Sequence, residues 1–219
     1  MTSPVSEPYN RFTGQSLARL TALSDGLFAV AMTLLVLDLR VPASQAGTAL
    51  SEHGLWAALL KQGPNFAAYL LSFSMLGTFW LAQHGLLGIL GRCDRTLTWL
   101  NLGFLFVVSL LPFSAALLAH YVHLRLAVGV YWLNIALLGA GLESSARYGR
   151  RALLAADAGP AQARLAVFRR RILLAQILYT LAALVCQAST VASVIALATV
   201  QLYFIVSPRR PRPRGSRPA

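Results

Sequence analysis

Long apolar runs alternate with short arginine-bearing segments along this chain. Six runs stand out: Ala18–Leu39, Asn65–Leu90, Leu97–Ala119, Leu124–Ser145, Phe168–Gln187 and Thr190–Val206. Each comes close to or exceeds the ~20 residues that a helix needs to cross a bilayer. Pro64 precedes the second run, and Pro112 lies inside the third. The last two runs are joined so tightly that they must form a hairpin. A further stretch, Leu50–Leu60, holds Trp56 and is too short to span, which suits it to the membrane interface. The pattern predicts an all-α membrane protein with six transmembrane helices. Residues 1–17 form a cytoplasmic segment, residues 18–207 the membrane domain, and residues 208–219 a disordered basic tail.

Composition agrees with this reading. Hydrophobic residues make up 57% and charged residues 12% of the 219, against about 25% charged in a globular protein. A net charge of +12 raises nucleic acid as a partner, but the distribution excludes it. With the N-terminus inside, sixteen basic residues fall on inner segments, and only Arg40, Lys61 and Arg125 fall outside. Such a bias predicts both ends in the cytoplasm. It also points to anionic lipid as a partner of the arginine-rich loops and tail. The inner stretch Arg147–Arg171, broken by Gly159-Pro160, reads as a connecting loop. Cys93 and Cys186 fall near opposite faces and predict no disulfide. The first run contains Asp25 and is long enough to span, so it reads as a retained signal-anchor.

The first helix carries two faces. At ~100° per residue, Leu23, Gly26, Leu27, Val30, Thr33, Leu34 and Leu37 fall within about 60° of Val30. This is an apolar strip with one hydroxyl. Arg19 continues its line one turn further in. Leu35, about 140° from Val30, reads as lipid-facing. Ser24 and Asp25 point away from the strip. A carboxylate at membrane depth is costly, roughly 2.5–3.5 kcal/mol at the centre, so Asp25 predicts partners. Trp80 and His84 share a face of the second helix at i, i+4, and Asn101 lies one turn into the third at a similar depth. Arg19, Ser24, Asp25, Trp80, His84 and Asn101 are therefore expected to converge in one polar network.

Three segments resemble a known family, the prokaryotic relatives of the animal endosomal and lysosomal potassium channel of the transmembrane-protein-175 type. They are RLTALSDGLFAVAMTLLVLDLRVP (Arg19–Pro42), FWLAQH (Phe79–His84) and LTWLNLGFLFVVSLLPFS (Leu97–Ser114). The family motif on the first helix is Arg-x-x-x-Phe-Ser-Asp; here Arg19, Ser24 and Asp25 fit, and Leu23 replaces the aromatic. The resemblance implies a homotetramer in the prokaryotic plasma membrane, with first helices around a central pore. It implies a constriction at Val30, with Leu37 two turns outward, Thr33 and Leu34 between them, and the motif residues holding the helix in place. Potassium is then the permeant ion, near Val30, Thr33 and Leu37, and no cofactor is needed.

The chain has no Thr-Val-Gly-Tyr-Gly filter, and the strip between Arg19 and Leu37 carries no carboxylate. An apolar ring makes an ion shed water without replacing it. Potassium holds water less tightly than sodium, so a weak to moderate potassium preference follows, and the same ring can gate by dewetting. The competing reading is a proton-coupled secondary transporter using Asp25 and His84; no inverted repeat or pair of broken helices supports it. An intramembrane enzyme built on Ser24 or Ser74 with His84 lacks an adjacent base and a nucleophile elbow. Metal-ligand and nucleotide motifs are absent from the sequence.

Overall fold

In a computed structural model of the chain, residues 17–42, 51–91, 93–155 and 159–206 are described, the side chains of 152–155 excepted. Nearly all of residues 1–17, Arg92 and the tail 208–219 lie outside the described residues. The described residues are helical almost throughout. Helix α1, Leu17–Leu34, tightens into a 3-10 turn at Leu35–Asp38. Then come α2 (Glu52–Lys61), α3 (Gly63–Leu90), α4 (Arg95–Ser109), α5 (Leu111–His120), α6 (Arg125–Ala155), α7 (Gly159–Leu184) and α8 (Thr190–Val206).

Five segments are long and apolar enough to span: Leu17–Asp38, Gly63–Leu90, Arg95–His120, Arg125–Arg151 and Gly159–Gln187. The sixth expected span, Thr190–Val206, is a shorter apolar helix of 17 residues. At 1.5 Å per residue it reaches about 26 Å, just short of a ~30 Å hydrocarbon core. The chain is a multi-pass membrane protein.

The third run is two helices in line. Pro112 has no N–H for the carbonyl four residues back, and its ring crowds that turn. The backbone therefore resets at Leu110, whose N–H bonds the Val107 carbonyl at 3.2 Å. The expected inner loop Arg147–Arg171 needs correction: α6 continues to Ala155 and α7 begins at Gly159. Alanine, arginine and leucine dominate this stretch, and all are strong helix formers. Glu143, 7% exposed, clamps the two helices. It accepts from Arg147 Nε at 2.8 Å and from Arg169 through both Nε and a terminal guanidinium nitrogen.

Helix α1 lies against α3 and α4, and α6 packs along α4, α5 and α7. A single apolar core runs through these contacts, including Phe28, Met75, Phe104, Tyr131, Leu138 and Leu197. Gly139 on α6 leaves room for the Gln176 side chain of α7: an added Cβ would sit 1.9 Å from its amide nitrogen. Gly91, at φ 62°, ends α3 in the left-handed conformation that suits glycine. Helix α2 buries none of its residues. Cys93 and Cys186 are free thiols.

Candidate functional site

The two faces of α1 are separated as its sequence dictates. Leu20, Ser24, Phe28, Ala31 and Leu35 are buried against the bundle. Phe28 is 1% exposed, with its ring 6.1 Å from that of Phe104. On the other face Val30 is 57%, Leu34 45% and Leu37 72% exposed. Leu23, Gly26 and Thr33 are exposed on the same side, and Leu27 is half-buried at its margin. The Thr33 hydroxyl donates to the Val30 carbonyl at 2.8 Å. Its proton is thus turned inward along the helix, and its lone pairs remain available outside.

The 3-10 turn changes the geometry of the outer end. Three residues per turn eclipse i and i+3, so Leu37 stands over Leu34. Leu35, expected to face lipid, is instead 4% exposed. Both α3 and α5 pack on the 3-10 segment, and Leu35 lies within about 20° of Ser24 and Phe28 on the wheel, on the face that packs on the bundle. The tightening coincides with the helix end, where Leu39 becomes extended at φ −81°, ψ 94°.

The polar residues behind the strip form two bonded groups. In the first, the Trp80 indole Nε1 donates to Asp25 Oδ1 at 2.7 Å. In the second, the Gln83 amide donates to Ser24 Oγ at 2.8 Å and to Asn101 Oδ1 at 2.6 Å. The Asn101 amide donates back to Ser24 Oγ at 3.1 Å. Ser24 Oγ in turn donates to the Leu20 carbonyl at 2.9 Å. Ser24, Gln83 and Asn101 are all buried, so α1, α3 and α4 are tied at one depth by satisfied polar groups.

Four of the six expected network residues, Ser24, Asp25, Trp80 and Asn101, are placed in these groups. Arg19 and His84 are exposed and make no hydrogen bond or ion pair among the described residues. His84 touches the network only through its ring, 5.9 Å from that of Trp80. Gln83 was not foreseen. It lies three residues after Trp80, within about 60° of it on the helix, and an amide inside an apolar run is itself a signal. A second buried group, Tyr179 to Gln201 at 2.6 Å and Gln201 to Thr78 at 2.7 Å, ties the α7–α8 hairpin to α3. Among the described residues no three His, Cys, Asp or Glu side chains gather as a metal site.

The arrangement is a helix held by polar bonds on one side and left apolar on the other. Residues 19–112 match the family model described as the endosomal/lysosomal potassium channel TMEM175. The segment is similar to that family. A potassium channel of Streptomyces collinus is 44% identical over 103 residues, which are 47% of this chain and 48% of the relative. A potassium channel of Chamaesiphon minutus is 36% identical over 116 residues, 52% of this chain and 56% of the relative. The human endosomal/lysosomal proton channel TMEM175 is 36% identical over 99 residues, 44% of this chain and 20% of that protein. This chain thus matches about half the length of the bacterial relatives, or less, and a fifth of the human one. The crystal structure of the Chamaesiphon minutus TMEM175 homologue superposes with a TM-score of 0.75 at 27% identity, covering 87% of this chain and 97% of that one. TMEM175 is a family of ion channels, not of enzymes.

Proposed function

We propose that the chain is a potassium-permeable channel of the plasma membrane, built as a homotetramer with α1 of each copy around a central pore. Val30 forms the constriction, with Thr33, Leu34 and Leu37 lining the pore outward of it. The observation that carries this reading is the division of α1 into a buried face and an exposed apolar strip holding a single hydroxyl. The relatives named as potassium channels support potassium as the permeant ion. Ser24, Asp25, Trp80, Gln83 and Asn101 hold the pore helix, and Arg19 and His84 stand free to meet a neighbouring copy.

In this reading α8 is the sixth span, both ends are cytoplasmic, and the arginine-rich inner segments touch anionic lipid. No cofactor takes part. Selectivity arises from partial dehydration of the ion at an apolar ring, so potassium is preferred over sodium weakly to moderately. The test is purified protein in a planar bilayer under opposed potassium and sodium gradients. The account predicts a reversal potential displaced toward the potassium equilibrium value. A flux that needs a second, stoichiometrically coupled solute would replace the channel with a transporter.

A further inference from the structure

A groove of about 1170 Å³ runs between α1, α3, α7 and α8. It lies behind the pore strip, against the side of α1 that bears Ala29 and Met32. Its walls are apolar over most of their length, with Phe28 and Met32 on one side and Ile172 and Phe204 on the other. Two charged groups line it. Asp25 comes from the middle of α1, and Arg171 from α7, beside Phe168 and Ile172. The two are not within ion-pair distance of each other. Among the described residues Arg171 makes no ion pair or hydrogen bond, and Asp25 accepts one bond, from Trp80.

A groove of this kind in a membrane-spanning bundle is filled by something apolar along its walls. Its charged end restricts the choice. A free fatty acid or an anionic lipid would match Arg171 and leave Asp25 facing added negative charge. A choline head group has no N–H to donate to a carboxylate. A head group with both a primary ammonium and a phosphate satisfies both sides: three N–H donors for Asp25 and phosphate oxygens for the Arg171 guanidinium. We propose that the groove binds one phospholipid of the ethanolamine type, its ammonium on Asp25, its phosphate on Arg171 and an acyl chain along Met32 and Phe204. The lipid then braces α1 from behind. The proposal needs only that the bundle spans a membrane and does not depend on conduction.

The test is native mass spectrometry of the full chain released from nanodiscs holding equal parts phosphatidylethanolamine, phosphatidylcholine and phosphatidylglycerol. We expect the ethanolamine lipid to be retained at least tenfold over the other two. Arg171→Gln and Ala175→Phe, the second of which fills the groove, each abolish that preference while eluting on gel filtration as wild type does. Equal retention of the three lipids by wild type overturns the proposal, and this arm needs no variant. Retention that survives Ala175→Phe overturns it as well. So does a disulfide between copies formed by Ala175→Cys, which would put a second copy of the chain in the groove.

Discussion

The Trp80 indole meets the Asp25 carboxylate across 2.7 Å, joining α3 to α1. The bond supplies a donor to a carboxylate that the membrane would otherwise penalise. It also holds α1 in the rotation that turns Val30 outward. Hydrogen bonds to charged groups contribute about 1.5–3 kcal/mol. Trp80→Phe keeps the ring and removes the donor. The expected outcome is a loss of about 2 kcal/mol in chemical unfolding from mixed micelles, with intact assembly at low temperature. Unchanged stability would mean that Asp25 is held by another group.

The Ser24–Gln83–Asn101 group makes a different prediction, because its members share partners. Gln83→Leu and Asn101→Leu each remove bonds to Ser24. Their double-mutant cycle should show coupling of about 0.6–1.7 kcal/mol, between the average and the maximum for interhelical hydrogen bonds in a membrane protein. A coupling of zero would show that the two side chains bond independently to the backbone or to water.

Glu143 is the hinge point of the long α6–α7 pair. Glu143→Leu leaves Arg169, whose side chain is only 20% exposed, without its carboxylate. Breaking a pair of this burial costs about 3 kcal/mol. The expected result is faster proteolysis within residues 147–171 and a lowered midpoint of thermal unfolding. Arg147→Ala, whose side chain is 66% exposed, should move the midpoint far less. Equal effects of the two would place the clamp elsewhere.

Much of this was legible in the sequence for physical reasons. Hydropathy marks a span wherever backbone polar groups must be satisfied inside a helix, so the long runs were readable. The 3.6-residue period of α1 separated Val30 from Ser24 without any coordinates. Three things differ. Leu35 shares the wheel angle of Ser24 and Phe28, so at the ordinary helical period it falls on the side that packs on the bundle rather than on lipid. The arginine-rich stretch after Arg147 looks like a loop by charge, yet its propensities are helical and Glu143 pairs its two halves. Gln83 was overlooked because His84 beside it has the more reactive side chain, although the amide makes the bonds.

Because Leu35 is buried, Leu35→Asn should destabilise the fold and cannot serve as a silent lipid-side control. Leu133, on α6 and 50% exposed, is the better choice. Leu133→Asn should leave unfolding midpoint, conductance and reversal potential as in wild type, whereas Leu35→Asn should lower the midpoint. The two are compared by thermal unfolding monitored on gel filtration. Equal midpoints would contradict the burial of Leu35.

The central claim is that the exposed strip of α1 lines an ion pathway. The direct measurement is single-channel current and reversal potential of Val30→Asn and Leu37→Asn in planar bilayers, each beside wild type and Leu133→Asn. A polar ring hydrates both cations and removes the dehydration penalty that separates them. The account predicts larger currents and a reversal potential shifted toward zero under opposed potassium and sodium gradients, with the oligomer unchanged on gel filtration. Wild-type conductance and selectivity in both pore-strip variants, with normal oligomers, would contradict it.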